Sequence, residues 1–294
     1  MGADHSLVYL DGRFVPRSEA KLDVEDRGVL FADGVYEVLR AYGGRVYQAE
    51  AHLARLRRSL EGLHLPPPTD VERLIGITLE LLDRNARPEA TVYWQVTRGV
   101  ALRDRRMPAR PAPTVLVLTW PTGPLAGTEA ALSCRRAILQ PDRRWGRCWI
   151  KSLMLLDNVL AAQAAAGAGA DEAIYHREGT VTEGTATNVF IVRGGRLVTP
   201  PTDGAILAGI TRARVIELAA AAGFHLDQRH FDTSELATAE EVMLTGTTTN
   251  IAAVTHLDGA AIGRREPGPV AHQLHAALLD DIRQECGLDP GRSR

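Results

Sequence analysis

The amino-acid sequence predicts an α+β protein with two domains, each a mixture of sheet and helix. Short runs of alternating apolar and polar residues are joined by Asp-Gly and Gly-Gly pairs, which are preferred hairpin turns. Other segments carry apolar residues every three or four positions, as amphipathic helices do. No long alternation of strands and helices is present, so a doubly wound parallel sheet is not expected.

The first predicted domain covers residues 1–119 and opens with two hairpins. Its predicted strands lie at residues 7–10, 13–15, 36–42, 45–47, 91–97 and 114–119. A helix is expected from about Glu50, because leucines recur along one face, and three consecutive prolines end it. A second helix opens at Thr69. An arginine-rich loop, residues 98–113, separates the last two strands.

The run Pro121-Thr122-Gly123-Pro124 predicts a linker at residues 120–124. The second domain is then expected at residues 125–288, followed by a disordered tail at residues 289–294. Its predicted strands lie near residues 131–138, 172–176, 188–193, 196–198, 225–231 and 241–245, and its helices at 155–167, 210–222 and 269–285. An Asp258-Gly259 hairpin completes it.

Composition excludes several classes of function. The 294 residues carry a formal net charge of −2, so no nucleic-acid or anionic-membrane partner is expected. No apolar run reaches membrane length, and no signal peptide is evident. Three cysteines without metal spacing (Cys134, Cys148 and Cys286) favour a reduced, cytoplasmic protein. The histidines show no metal spacing, and His52 and His64 are expected to be ordinary helix-end residues.

Lys151 and Glu183 are the most informative pair of residues. Lys151 ends an apolar stretch, where partial desolvation would lower its pKa and free the amine to react with an aldehyde. Glu183 lies in a Gly/Thr-rich segment expected to be a turn, and a carboxylate there can bind a protonated pyridine nitrogen. Together they indicate pyridoxal phosphate chemistry. A surface lysine and a turn glutamate remain the alternative.

Two loops are candidates for binding a phosphate. Leu207-Ala208-Gly209-Ile210-Thr211 opens a predicted helix, whose N-terminus would present N–H groups to an anion. Thr245-Gly246-Thr247-Thr248 follows a predicted strand and offers hydroxyl donors. A helix cap and a polar turn are the simpler interpretations of these loops.

Arginines offer further candidate anion sites. The loop at residues 98–113 could capture a carboxylate through Arg103 or Arg105, or it could be a solvated basic loop. Arg55 lies on the polar side of its predicted helix, where a solvated arginine is usual.

With these segments in hand, the chain resembles the class IV aminotransferases, the fold-type IV enzymes that use pyridoxal phosphate. Within them it is most similar to the D-amino acid aminotransferases. The resemblance runs from Leu7 to about residue 280. It rests on Glu25-Asp26-Arg27-Gly28, Phe31-Ala32-Asp33-Gly34-Val35-Tyr36-Glu37-Val38, Gln95-Val96-Thr97-Arg98-Gly99, Ile150-Lys151-Ser152-Leu153, Val181-Thr182-Glu183-Gly184 and Gly209-Ile210-Thr211-Arg212.

The resemblance implies a role for each candidate residue. Lys151 would form the Schiff base and move the proton, and Glu183 would face the pyridine nitrogen. The phosphate would be held by Arg55, Gly209, Ile210, Thr211, Gly246, Thr247 and Thr248. Arg144 and Glu172 would lie near the 3-hydroxyl, Leu207 would pack on the ring, and Tyr36 would border the substrate. A homodimer is also implied, with the site between the two domains and the arginine loop reaching in from the neighbouring subunit.

The arginine loop departs from the D-amino acid enzymes, which carry Arg-x-His where this chain has Arg103-Asp104-Arg105. Asp104 is expected to pair with one of the two arginines. The resemblance implies a ping-pong transfer from D-amino acids to 2-oxo acids such as 2-oxoglutarate or pyruvate. The altered loop extends the expected donors to (R)-primary amines, which have no α-carboxylate.

Other functions remain as alternatives. Branched-chain L-aminotransferases usually show Lys-x-x-x-Asn-Tyr after the lysine, and aminodeoxychorismate lyases His-Leu-Asn, whereas Lys151 is followed by Ser152-Leu153-Met154-Leu155-Leu156. A non-catalytic protein that binds pyridoxal phosphate would not need the intact lysine and glutamate. A serine hydrolase would need a Gly-x-Ser-x-Gly turn, which the sequence lacks.

Overall fold

A computed structural model describes residues 6–125 and 131–288, so the predicted tail at residues 289–294 lies outside the described residues. The chain divides into two compact units. Among the described residues, the first comprises residues 6–125, 150–154 and 284–288. The second comprises residues 131–149 and 155–283.

The sheet of the first unit is antiparallel. Its strands are β1 (Leu7–Leu10), β2 (Arg13–Pro16), β3 (Gly34–Tyr42), β4 (Arg45–Val46), β5 (Ala90–Thr97) and β6 (Val115–Pro121). They are arranged in the order β2-β1-β6-β5-β3-β4. Both predicted hairpins are present, with Gly12 and Gly44 at φ of 85° and 79°, a conformation that glycine adopts without strain.

The helices of the first unit are α1 (Arg27–Phe31), α2 (Ala49–Gly62) and α3 (Leu74–Arg84), with a 3₁₀-helix (Thr69–Arg73) before α3. Leu56 and Leu60 are fully buried, as the leucine pattern of α2 predicts. Trp94 of β5 is also fully buried and donates its indole N–H to Thr78 of α3 at 2.8 Å. The sequence missed α1, because five residues are too few to show a helical period.

The segment Ile150–Met154 packs on the first unit, although the sequence analysis placed it in the second domain. The backbone carbonyl of Lys151 accepts the Tyr36 N–H at 3.0 Å, and Leu153 donates its N–H to the Gly34 carbonyl at 3.0 Å. These bonds fix the lysine segment against the start of β3. These hydrogen bonds explain why residues 150–154 belong to the first unit although they follow the predicted linker in sequence, because buried backbone groups need hydrogen-bond partners.

The sheet of the second unit is mixed. Its strands are β7 (Ser133–Pro141), β8 (Glu172–Arg177), β9 (Thr180–Gly184), β10 (Asn188–Arg193), β11 (Arg196–Thr199), β12 (Leu226–Gln228), β13 (Glu241–Gly246), β14 (Asn250–Leu257) and β15 (Ala260–Ala261). The order is β12-β11-β10-β13-β14-β7-β8-β9, with β15 beside β14. Strand β7 runs parallel to β8 and β14, and β11 runs parallel to β12. The predicted α+β class is therefore confirmed.

The helices of the second unit are α4 (Leu156–Gly167), α5 (Ile210–Ala221) and α6 (Thr233–Ala237), and α7 (Pro269–Cys286) begins in it. Side chains such as Phe190, Ile191 and Ile174 are fully buried around its sheet. No helix in residues 6–125 or 131–288 is long and apolar enough to cross a lipid bilayer.

The prediction that Glu183 lies in a turn is wrong, because Glu183 belongs to strand β9, which pairs with β8. The turn comes earlier, at Glu178 and Gly179, which have φ of 49° and 87°. The β-branched residues just before Glu183 favour a strand, and the nearby glycine obscured that signal. A strand fixes the direction of the carboxylate more firmly than a turn would.

Candidate active site

Lys151 is held in a defined position within the first unit. Its backbone N–H donates to the Ser59 hydroxyl at 3.2 Å. Its side chain is half-buried, with the Nζ atom 4.4 Å from the centroid of the Tyr36 ring. That ring stacks in turn on Tyr93, with the centroids 5.6 Å apart. The aromatic face attracts an ammonium group, so Tyr36 orients the lysine amine.

Arg55 is buried, which rules out the solvated helix face that was its alternative interpretation. Its guanidinium donates through Nε and Nη2 to the two carboxylate oxygens of Glu37, both at 2.7 Å. His52 is buried as well, with Nδ1 2.7 Å from the same carboxylate, so it is not an ordinary helix-end residue. Positions 52 and 55 lie one turn apart on α2 and share the face that meets β3.

The charges in this buried cluster follow from its geometry. Burial would raise the pKa of Glu37, but the charge and hydrogen bonds of Arg55, together with the His52 hydrogen bond, lower it to about 2. Burial lowers the pKa of His52, and Glu37 opposes that shift only in part. A carboxylate can only accept, so a neutral His52 donates from Nδ1. The cluster thus contains one buried ion pair and one neutral imidazole.

Replacing Glu37 by glutamine is expected to destabilise the protein at neutral pH by about 3–5 kcal/mol, because Arg55 would be left buried without its carboxylate. The folded-state pKa of about 2 lies below the ordinary value of 4.5, so folding favours the ionised carboxylate. The stability that it contributes is present above pH 4.5 and is lost as the pH falls towards 2.

Urea unfolding of the wild type and of Glu37→Gln from neutral to acid pH checks this. The difference in the free energy of unfolding between the wild type and Glu37→Gln should become smaller towards low pH. Glu72→Gln is the matched control, because Glu72 pairs with Arg57 of α2 at the surface, and we expect it to lose less than about 1 kcal/mol. Equal losses for the two variants would contradict the buried-pair account.

Glu183 is the centre of a hydrogen-bond network in the second unit. The Oε1 atom accepts from Arg144 Nη1 at 2.6 Å. The Oε2 atom accepts from Asn188 Nδ2 and from the backbone N–H of Leu207, both at 3.0 Å. The residue is only 4 % exposed. A buried carboxylate with such fixed donors is suited to holding a proton on a ring nitrogen, because the donors keep it oriented and favour its charged form.

Arg144 links Glu183 to a second carboxylate, Asp142. Arg144 donates to Asp142 through Nε at 2.9 Å and Nη2 at 3.0 Å, and its guanidinium lies 4.5 Å from the Tyr175 ring centroid. Burial acts to lower the pKa of Arg144, but the Asp142 hydrogen bond and the Glu183 charge outweigh it and raise the pKa. Asp142 and Asn188 were missed by the sequence analysis, because neither lies in a motif that predicts a role.

The loop before α5 presents a helix N-terminus. Gly209 is the N-cap residue, and no side chain in the described part of the chain caps the helix there. A Cβ at Gly209 would lie 2.0 Å from Asn188 Oδ1, so this close approach requires glycine. Ile210 and Thr211 form the first turn, whose N–H groups are suited to binding an anion at the helix end.

The turn between β13 and β14 is the other phosphate candidate. Gly246 ends β13, and Thr247 and Thr248 form the turn. The buried hydroxyl of the neighbouring Thr245 has no hydrogen-bond partner in residues 6–125 and 131–288. A polar atom in that position indicates a missing partner such as an anion or a water.

Glu172 points towards the loop of residues 185–187. Its carboxylate accepts hydrogen bonds from Thr185 and Thr187. The structure therefore brings Glu183, Arg144 and Leu207 into one network, and it gives Glu172 different neighbours.

In the arginine loop, Asp104 has a different partner from the one that the sequence predicts. Asp104 pairs with Arg106, which donates from its backbone N–H and Nε, each at 2.9 Å, and not with Arg103 or Arg105. Arg103 is exposed and lies 5.7 Å from the Phe31 ring centroid. Arg105 is exposed and makes no hydrogen bond or ion pair within the described part of the chain. Both guanidinium groups can therefore bind a carboxylate.

These groups fit the cofactor predicted from the sequence. Lys151 offers an amine for an aldehyde, Glu183 a carboxylate for a pyridinium, and the α5 N-terminus with the threonine turn offers donors for a phosphate. Lys151 and Glu183 are each positioned by neighbours within their own unit.

Comparison with known proteins agrees with this chemistry. Residues 34–257 match the family model described as amino-transferase class IV. The D-alanine aminotransferase of Bacillus licheniformis is 39% identical over 279 residues, which cover 95% of this chain and 98% of that protein.

Two solved structures share the fold. The branched-chain aminotransferase of the archaeon Thermoproteus uzoniensis, solved with norvaline, has a TM-score of 0.85 and 28% identity, over 97% of this chain and 96% of that one. A hypothetical aminotransferase from Mycobacterium tuberculosis, solved in its pyridoxal phosphate-bound form, has a TM-score of 0.79 and 26% identity, over 94% of this chain and 100% of that one. The Bacillus licheniformis relative is therefore named for D-alanine, whereas the Thermoproteus uzoniensis structure is named for branched-chain amino acids.

Proposed function

This chain belongs to the class IV aminotransferases, and on that premise we propose that it is a pyridoxal phosphate-dependent transaminase acting on D-amino acids. D-alanine is the proposed type of donor, and 2-oxo acids such as pyruvate and 2-oxoglutarate are the acceptors. The observation that carries the transaminase chemistry is the Glu183 carboxylate, buried and held by Arg144, Asn188 and the Leu207 N–H. The choice of donor is supported by the similarity to the D-alanine aminotransferase of Bacillus licheniformis.

When bound, pyridoxal phosphate supplies an electron sink that stabilises negative charge at the substrate α-carbon. Lys151 Nζ would bind the aldehyde of this group, and the same amine would move a proton between the substrate α-carbon and the C4′ carbon. Glu183 would hold a proton on the ring nitrogen. Arg144 and Asn188 keep Glu183 oriented, and Arg144 also stabilises its charge.

Tyr36 contributes to the position of the lysine amine. Its ring lies under Nζ and is fixed by stacking on Tyr93. We assign Tyr36 to the border of the substrate site, where the ring would also limit the directions from which a substrate approaches Lys151.

The assembly and location follow from the same proposal. We infer a homodimer in which Arg103 and Arg105 act on the substrate of the neighbouring subunit. Two apolar side chains beside them support a protein contact, because Leu102 is 81% exposed and Met107 is 55% exposed. We place the protein in the cytoplasm, since Cys134, Cys148 and Cys286 are free thiols.

A branched-chain L-aminotransferase is the second candidate, and the Thermoproteus uzoniensis enzyme supports it. The fold is common to both groups, and the sequence is more similar to the D-alanine enzyme. Steady-state assays of D-alanine and L-leucine, each with 2-oxoglutarate, test the two candidates. We expect turnover with D-alanine and parallel double-reciprocal lines, the pattern of a ping-pong mechanism. Turnover with L-leucine alone would replace the proposal with its alternative.

Arg103→Ala is expected to raise the KM for D-alanine about tenfold to a hundredfold, because a charged hydrogen bond to the α-carboxylate is lost. The KM for (R)-1-phenylethylamine, which has no carboxylate, should change little. Arg110→Ala, in the same exposed loop, is the control and should leave both values unchanged. Equal effects of Arg103→Ala on the two donors would remove Arg103 from carboxylate binding.

A further inference from the structure

We propose that Glu172 is a positioning residue for the turn between β13 and β14 (Gly246, Thr247 and Thr248), here called the phosphate-binding turn, which it supports through the loop of residues 185–187. The family resemblance implied a different place for this carboxylate, near the cofactor 3-hydroxyl. The inference rests on the proposed function, because it concerns how the protein recognises the phosphate of pyridoxal phosphate.

The hydrogen bonds of Glu172 are directed at this loop. Glu172 is the first residue of β8 and is 8% exposed. The Oε1 atom accepts from the Thr185 N–H at 3.1 Å, from the Thr185 hydroxyl and from the Ala173 N–H at 3.0 Å. The Oε2 atom accepts from the Thr187 hydroxyl at 3.0 Å. A carboxylate has about four acceptor sites, so these four donors engage most of its capacity.

The loop is tight, and its shape depends on this carboxylate. The Gly184 N–H donates to the Thr187 carbonyl at 2.7 Å, which closes the loop. A Cβ at Gly184 would lie 2.1 Å from the Thr187 hydroxyl and 3.2 Å from the Glu172 carboxyl carbon, so no larger residue fits. Asn158 of α4 donates to the Thr185 carbonyl at 2.7 Å from another side. The loop is therefore held by side chains from β8 and α4.

The phosphate-binding turn rests on the same loop. A Cβ at Gly246 would lie 3.2 Å from the Ala186 carbonyl oxygen and 3.5 Å from the Thr187 methyl group. The backbone of the turn therefore packs closely against residues 186 and 187. A shift of the loop would move Gly246 and, with it, the donors of Thr247 and Thr248.

The loop of residues 185–187 also leads directly into the hydrogen-bond network around Glu183. Asn188 follows Thr187 and donates both to Glu183 at 3.0 Å and to the Leu207 carbonyl at 2.9 Å. Asn188 is anchored independently by strand β10, where it pairs with Thr245. Because that pairing remains when Glu172 is changed, the ring site should survive and the phosphate turn should suffer most.

Binding of pyridoxal phosphate and of pyridoxal to the full-length protein, freed of cofactor, tests the proposal. The two probes differ only in the phosphate. Glu172→Gln should weaken pyridoxal phosphate binding about tenfold, the lower end of what supporting hydrogen bonds contribute at metal sites. It should leave pyridoxal binding almost unchanged.

Two further variants separate this effect from misfolding. Thr187→Val removes the hydroxyl that Glu172 Oε2 accepts from, whereas Thr187→Ser keeps it. We expect Thr187→Val to lose phosphate discrimination and Thr187→Ser to retain it. Glu241→Gln is the matched control, because Glu241 is another buried carboxylate of this sheet that accepts from the Val270 and Ala271 N–H groups. It should lower the Tm without changing the ratio of the two affinities.

The outcomes distinguish failure of the inference about Glu172 from failure of the proposed function. If the wild type prefers pyridoxal phosphate and Glu172→Gln weakens both probes equally, Glu172 acts on the ring, and the inference fails while the proposed function stands. An unchanged ratio in Glu172→Gln and Thr187→Val would also overturn it. If the wild type binds neither probe, the proposed function fails and the inference falls with it.

Discussion

Lys151→Ala is expected to lose turnover about ten-thousand-fold, because one amine both binds the cofactor aldehyde and moves the substrate proton. The chain has only two lysines, Lys21 and Lys151, so few amines compete for the aldehyde. The visible absorbance of the bound cofactor should disappear in this variant. Lys21 is exposed, and Lys21→Ala is the matched control that should keep both absorbance and activity.

Borohydride treatment of the cofactor-loaded wild type makes this prediction sharper. The cofactor should become fixed to the peptide that contains Lys151, and mass spectrometry can tell that peptide from the one that contains Lys21. Modification of Lys21 alone, or turnover that survives in Lys151→Ala, would remove Lys151 from its role. The position of Nζ over the Tyr36 ring would then need another explanation.

Glu183→Gln is expected to bind the cofactor and to transaminate about a hundredfold to a thousandfold more slowly. The neutral amide cannot hold the ring nitrogen protonated, and it weakens the charge-assisted bond from Arg144. The kcat should fall far more than the KM rises, because the contact matters most when negative charge develops on the substrate carbon.

Glu178→Gln is the control for Glu183→Gln, because Glu178 lies in the exposed turn between β8 and β9. It should transaminate at the wild-type rate. A Glu183→Gln variant with an unchanged kcat would mean that this carboxylate does not act on the ring nitrogen. The network of Arg144 and Asn188 around it would then be purely structural.

Local signals in the sequence predicted most of the fold. Asp-Gly and Gly-Gly pairs mark hairpins because few residues other than glycine tolerate positive φ. The leucine spacing of α2 marks a buried face, and Leu56 and Leu60 lie on it. What local signals could not give is the placement of Ile150–Met154, since its bonds to β3 join residues more than a hundred positions apart.

The buried cluster of the first unit shows a second limit. Glu37, Leu39 and Ala41 are two positions apart along β3 and so lie on the same face of the strand. The strand period therefore does place Glu37 on the apolar, inward face. The sequence does not show which cation meets it there. Arg55 and His52 lie outside the leucine positions that mark the buried face of α2, and only the packing of α2 on β3 identifies them as the partners of Glu37.

The hydrogen-bond network around Glu183 in the second unit likewise shows that the sequence does not identify the partners of a buried carboxylate. The sequence motif predicts a role for Glu183, but its partners Arg144 and Leu207 come from distant segments. Asn188 is close in sequence, yet nothing in its type distinguishes a strand-end amide from a group that orients a carboxylate.

The half-reaction tests the central claim most directly. The cofactor-loaded protein is mixed in separate experiments with D-alanine and L-alanine, without an acceptor, and the visible absorbance of the cofactor and the pyruvate released are followed together. We predict that D-alanine removes the absorbance and releases one pyruvate per active site, whereas L-alanine does so far more slowly. Faster conversion of L-alanine, or no pyruvate from either enantiomer, would contradict the account.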